Sequence, residues 1–210
     1  MREQLKLMIC FVDDVTVSAA SRLLHIRRGT VSVYYDNLRG EWLDHLKENP
    51  ISFQEGDEFE VDECLVMHIW VPRRRRYIAQ WIGGIVERST GKVALYMVND
   101  RSRKSLLPPI LEKIPAGSWI YSDEWKSYNG IDKHPYVHLT VNHSQKEYAR
   151  TEEVGGRIVN IHINTLEGIN REIRRRFANK SNRNFERMDL VLVEIMYRRS
   201  SNNLYFPFKC

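Results

Sequence analysis

The chain has 210 residues, 42% of them hydrophobic, with a formal net charge of +5 and a pI of about 9.1. That is enough for one compact domain of roughly 150 residues with a real core, plus a small appendage, and the basic balance favours a polyanionic partner. Three widely separated cysteines, Cys10, Cys64 and Cys210, form no CxxC pair, which argues against a zinc ribbon or a disulfide framework.

The apolar run from Leu7 to Val12 is too short for a secretory signal and meets Asp13-Asp14. No stretch approaches the roughly 18 apolar residues of a membrane span. The expected chain is soluble and intracellular, without a membrane partner: nuclear in a eukaryotic host, cytoplasmic in a prokaryotic one.

Residues 1–14 read as a helix tail or an isolated strand. Ser18 is placed to cap a helix through Ala19, Ala20, Leu23 and Leu24. After a turn at residues 25–29, Thr30 can cap a second helix. Val31, Val33, Tyr34 and Leu38 recur there at helical spacing, up to Arg39-Gly40. This pair is helix-turn-helix-like, with Arg27 and Arg28 near the end that would meet DNA. An ordinary helical hairpin packed on the next domain is the plainer alternative. Trp42 to Lys47 continues as helix and Asn49-Pro50 stops it, so residues 1–50 are expected to be a helical DNA-binding region and residues 58–203 the main domain.

In the main domain, Glu58–Leu65, Ala79–Glu87 and Val93–Val98 read as an antiparallel meander. Between the first two, Val66 to Tyr77 holds Pro72 and the run Arg73, Arg74, Arg75, Arg76, and reads as a basic hairpin tip or loop. A helix capped by Ser102 follows, with Pro108 and Pro109 in its first turns. Then come a short buried strand ending in Asp123, a strand over Val137–Val141, a polar, mobile loop from Asn142 to Asn160, and a helix opening near Asn164. The order suits an α/β domain, a mixed sheet flanked by helices of the ribonuclease-H-like kind.

Three carboxylates stand out. Asp62 lies in the first strand, with Glu60, Asp62 and Cys64 on one face and Phe59, Val61 and Glu63 on the other. Asp123 ends the fourth strand, where α/β sheets bind ligands. Glu167 sits near a helix start, beside a packed stripe of Leu166, Ile169, Ile173 and Phe177. Each has a plainer explanation: a solvated edge-strand Asp62, a turn cap at Asp123, an i,i+4 pair of Glu167 with Arg171. Three carboxylates drawn to one spot repel by several kcal/mol per pair at an effective dielectric of about 20, so the cluster implies bound Mg²⁺ or Mn²⁺. Arg171, Arg174, Arg175 and Arg176 form a second basic group.

Several motifs occur in a familiar order: Val61-Asp62-Glu63, Trp81-Ile82-Gly83-Gly84, Asn99-Asp100-Arg101-Ser102, Ile120-Tyr121-Ser122-Asp123-Glu124-Trp125, Val141-Asn142-His143-Ser144, His162-Ile163-Asn164-Thr165-Leu166-Glu167 and Glu194-Ile195-Met196-Tyr197-Arg198. Over Glu58 to Asn203 the chain resembles the catalytic domain of insertion-sequence transposases of the ISXO type and their eukaryotic Merlin relatives. The resemblance implies a DDE transposase that holds two Mg²⁺ or Mn²⁺ ions on Asp62, Asp123 and Glu167. It would cleave DNA phosphodiesters at transposon ends and transfer strands. His143 and Asn164 match motif positions near the site; a core histidine and a helix cap are the plainer roles.

Double-stranded DNA is the implied partner, gripped by Arg27, Arg28, Arg73, Arg74, Arg75, Arg76, Arg171, Arg174 and Arg175, and a homo-oligomer on DNA is implied too. The chain departs from the family's habit in three places. It carries no zinc-binding N-terminal segment, no Gly/Lys/Arg-rich stretch directly after Asp62, and Asn170 where tryptophan is common. A domesticated or truncated copy, a catalytically inactive transposase-derived DNA-binding protein and a protein-interaction module stay open as alternatives.

Overall fold

The computed structural model describes residues 2–71, 73, 75–142, 145, 148–178 and 185–200. Five strands build the central sheet: β1 (Glu58–Val71), β2 (Arg76–Glu87), β3 (Val93–Val98), β4 (Trp119–Asp123) and β5 (Val137–Val141). Their spatial order is β3-β2-β1-β4-β5. The first three strands are antiparallel neighbours, whereas β4 runs parallel to β1 and β5 parallel to β4. A meander followed by two parallel strands on the far side of β1 is the ribonuclease-H-like arrangement, and it makes β1 the central strand.

Side chains alternate along β1 as a strand demands. Phe59 and Val61 pack with Ile85, Ala94 and Val98 under helix α4 (Arg103–Lys113), against Leu106, Leu107 and Ile110. Cys64 and Met67 face the opposite layer with Ile82 and Val86, where helices α5 (Asn164–Ala178) and α6 (Phe185–Ser200) lie. The α5 stripe Leu166, Ile169, Ile173 and Phe177 is fully buried there, because these residues recur at helical spacing along one side. Asp62 therefore opens toward α5 and Glu63 toward α4.

The N-terminal helices α1 (Arg2–Val12), α2 (Val17–Leu24) and α3 (Arg28–Glu48) share this second layer. Phe11, Tyr35, Leu38 and Trp42 join one apolar core with the buried faces of α5 and α6, and the Trp42 ring stacks on Tyr197 at 5.0 Å. Buried Glu194 of α6 ties the layers. It accepts hydrogen bonds from Arg39 Nε at 2.6 Å, Arg176 Nη1 at 3.0 Å and Arg198 Nε at 2.9 Å. Burial by itself would raise this carboxyl, but the three guanidiniums outweigh it and hold it below its ordinary value.

Several expectations are corrected. Thr16, not Ser18, caps α2, its Oγ1 accepting from Ala19 N at 3.2 Å. Helix α3 runs unbroken through Gly40, because burial of Tyr35, Leu38 and Trp42 on both sides of the glycine outweighs its poor propensity. The stretch Val66 to Tyr77 is mostly strand: β1 and β2 pair out to Val71 and Arg76 as a ribbon beyond the reach of β4. Pro108 and Pro109 lie in the middle of α4 rather than in its first turns. The supposed loop after Asn142 holds a hairpin, β6 (Ala149–Val154) and β7 (Arg157–His162). Its turn is Gly155-Gly156, both with positive φ of 60° and 78°, the combination that a two-residue hairpin turn requires. No helix among the described residues is long and apolar enough to cross a membrane.

Replacing Glu194 with alanine leaves three arginines without their shared carboxylate. The expected cost is about 3–5 kcal/mol, read from urea melts. A native carboxyl held low contributes its full stability above the unfolded value of 4.5 and loses it as the pH falls through the lower native value. The wild-type Tm should therefore decline with acidification below that point, and the decline should be shallower in Glu194→Gln.

Candidate functional site

Asp62 sits in the middle of β1, opposite Gly84 of β2. The parallel ladder between β1 and β4 ends at Glu60 and Tyr121. Two residues further on each strand come Asp62 and Asp123, so the register sets these two side by side where the strands part. Glu167 lies in the first turn of α5, the helix packed on β1. Burial first, then the negative charges of Glu63, Asp123 and Glu167, push the Asp62 carboxyl up to about 8. Asp62 thus feels the charges of two carboxylates that are far from it in sequence. Among the described residues, no three His, Cys, Asp or Glu side chains stand close enough together to hold a metal ion.

The neighbouring acids have other work. Glu63 is buried and accepts hydrogen bonds from Arg101 and from the Tyr128 hydroxyl. Arg101 in turn lies against the rings of Trp81 and Trp125, at 4.9 and 3.9 Å. Glu124 accepts from Asn142 Nδ2 at 2.5 Å. Asp123 Oδ1 takes the Trp125 N–H at 3.0 Å, a local turn bond that orients its carboxylate at the strand end.

Two residues that the sequence reading did not assign to the site shape it. Glu60, fully buried on the Asp62 face, accepts Thr165 Oγ1 at 3.0 Å, Leu166 N at 2.9 Å and Arg88 Nε at 3.0 Å. It caps α5 from another element, satisfying donors that the first helical turn leaves open, and so sets where Glu167 stands. Its signal was the strand alternation that puts it on the face of Asp62. Asn170, one turn after Glu167, donates from Nδ2 to Asp62 Oδ2 at 2.7 Å. Its Oδ1 is buried without a hydrogen-bond partner. An orphaned amide oxygen beside a crowded set of hard carboxylate donors fits a divalent cation or its bound water. The departure from tryptophan at this position was the signal, read without its consequence.

Gly84 supplies the room. A Cβ there would lie 2.8 Å from Leu166 Cδ1, so a side chain would force the buried Leu166 side chain to shift. Asn164 is exposed at the first residue of α5, its N–H 3.4 Å from His162 Nδ1; no hydrogen bond joins it to the three carboxylates among the described residues. His143 and Arg74 lie outside the described residues. Arg73, Arg75 and Arg76 are exposed at the tip of the β1–β2 ribbon, Arg27 and Arg28 at the start of α3, and Arg171, Arg174 and Arg175 along α5. Arg176 is spent on Glu172, Glu194 and Asp14.

A ribonuclease-H-like sheet with acidic side chains on its first and fourth strands and on the helix packed against β1 and β2 defines the class. Residues 72–199 match the family model of the ISXO2-like transposase domain, and the chain belongs to that family. The match includes Asp123 and Glu167 and begins after Asp62. Among solved structures, the simian T-cell lymphotropic virus intasome in complex with PP2A regulatory subunit B56 gamma is 12% identical, over 93% of this chain and 69% of that one, with a TM-score of 0.42. No curated protein matches the chain.

Two substitutions check the supports. Glu60→Ala removes the cap and one of the two carboxylates on Arg88, Glu58 being the other, an expected loss of about 1–3 kcal/mol, and amide exchange at Thr165 and Leu166 should quicken. Gly84→Ala should cost about 1–3 kcal/mol by overpacking in a thermal melt. A Gly84→Ala protein as stable as wild type would show that α5 does not press on this strand.

Proposed function

We propose that the chain is the catalytic part of a DDE transposase that cuts DNA phosphodiesters at transposon ends and transfers the freed strand. The observation that carries this reading is the β1–β4 register that sets Asp62 beside Asp123, next to the helix bearing Glu167, within a chain of the ISXO2-like transposase domain family. Asp62, Asp123 and Glu167 would hold two Mg²⁺ or Mn²⁺ ions. When bound, such a pair activates the attacking water or 3′-hydroxyl and steadies the leaving oxygen.

The chain's own residues do the positioning. Asn170 engages one Asp62 oxygen and leaves the other for the site. Glu60 anchors the helix that carries Glu167, and the Arg101–Glu63–Tyr128 contacts brace β1 from behind. The exposed arginines of the ribbon tip, of α3 and of α5 supply phosphate neutralisation, so binding should weaken steeply with salt. Duplex DNA is the partner, and a homo-oligomer assembled on it is the working form. The α2–α3 pair acts as a helix-turn-helix-like reader.

The second reading, an inactive transposase-derived DNA-binding protein, draws on the open arrangement of the acids, which form no ready cage among the described residues. A nicking assay on a supercoiled plasmid separates the two. Mn²⁺-dependent nicking is expected from the wild type. Asp62→Asn, Asp123→Asn and Glu167→Gln should each lower it by at least about 100-fold while the circular dichroism spectrum stays unchanged. Calorimetric titration with Mn²⁺ should lose its signal in Asp62→Asn. Duplex binding with neither nicking nor Mn²⁺ uptake establishes the second reading.

A further inference from the structure

Away from the acidic face, a cleft of about 550 Å³ lies between the N-terminal helices and the α5–α6 layer. Its lining holds six arginines against only two carboxylates, Asp14 and Glu194. The deeper guanidiniums are already neutralised. Arg39, Arg176 and Arg198 bond to Glu194, and Arg187 pairs with Asp36 at 2.7 Å. Arg28 and Arg175 differ: both are exposed, and neither has a hydrogen bond or ion pair with any described residue. Arg28 also opens the 21-residue helix α3, whose N-cap residue Arg27 makes no side-chain cap bond. The open N–H groups of this first turn and the helix dipole add to the positive field. Gly29 and Ser32 line the same wall.

Helix α5 links this cleft to the acidic face. Glu167, Arg171 and Arg174 recur at i, i+4 and i+7, one side of a helix, and both arginines are exposed. Arg175 lies eight residues on from Glu167, about 12 Å along the axis. That distance spans three to four base-pair steps of a duplex at about 3.4 Å each.

We infer that this cleft takes a backbone phosphate of duplex DNA, gripped by Arg28, Arg175 and the open first turn of α3. The duplex runs from there along the arginine row of α5, three to four base pairs from the phosphate presented to Asp62 and Glu167. The inference rests on the transposase reading above and places the DNA on the protein. It also gives the N-terminal helices a second role, as one wall of a phosphate clamp whose other wall belongs to the catalytic layer.

The test is fluorescence anisotropy of a labelled random-sequence 30-base-pair duplex in EDTA, over a range of salt concentrations. Arg28→Gln/Arg175→Gln is compared with wild type and with Lys104→Gln/Lys133→Gln, which removes the same charge from exposed sites on the α4 side. The cleft double variant should lower the slope of log affinity against log salt by about two, close to one for each phosphate no longer neutralised. The control should keep the wild-type slope. Circular dichroism melts report folding, and Arg28→Lys/Arg175→Lys should restore the slope. An unchanged slope in the cleft variant overturns the inference.

Thermal shift with inorganic pyrophosphate provides the second arm. Stabilisation of wild type but not of the cleft variant, with duplex binding equal in both, would assign the cleft to a small phosphate and also overturn the inference. Plasmid nicking is followed in parallel. Normal nicking with an unaltered slope removes only the cleft, whereas a wild type that neither binds nor nicks DNA removes the transposase reading with it.

Discussion

Glu60 is the contact on which the rest of the site depends. A carboxylate with no solvent exposure is tolerated only when its oxygens are fully engaged, and here they take the Arg88 guanidinium, the Thr165 hydroxyl and the Leu166 amide. Those bonds join the central strand to the first turn of α5. Asp62 lies two residues along on the same face, and Glu167 one residue beyond the capped amide. The distance between the two acids is therefore set by a buried hydrogen-bonded joint, not by a mobile loop.

The helical layer works on the same principle. Glu194 collects arginines from α3, α5 and α6, so the N-terminal helices are fastened to the α5–α6 layer by charge as well as by the Phe11, Tyr35 and Trp42 packing. Ionic joints of this kind are directional, and breaking one side strands a buried charge. Exposed arginines are left on the ribbon tip, on the start of α3 and on the outer side of α5. The buried carboxylates Glu60, Glu63 and Glu194 are each met by arginine, and these outer guanidiniums face solvent.

Much of the architecture was legible from local pattern. The alternation through Glu58 to Leu65 assigned Asp62 and Glu63 to opposite faces, and the structure sends one toward α5 and the other to Arg101 and Tyr128. The 166–169–173–177 stripe gave the buried side of α5. The hairpin at Ala149 to His162 was missed because its strands carry few apolar residues, although the Gly155-Gly156 turn between them was visible. The stretch from Val66 to Tyr77 read as a basic hairpin tip or loop, and what the pattern did not show is that the paired strands run out to Val71 and Arg76. Helix α3 was cut at Gly40 because its intact length depends on packing against α6.

The sequence by itself determined the periodicities, the faces on which Asp62 and Glu63 lie and the clustering of arginines, since these follow from short-range spacing along the chain. Only the tertiary structure decided that Glu60 holds α5, that Asn170 bonds to Asp62, and that Arg28 and Arg175 line one cleft. The reason is physical: hydrogen bonds such as Glu60 to Leu166 and Asn170 to Asp62 join residues more than a hundred positions apart. Nothing in local pattern specifies a partner at that separation.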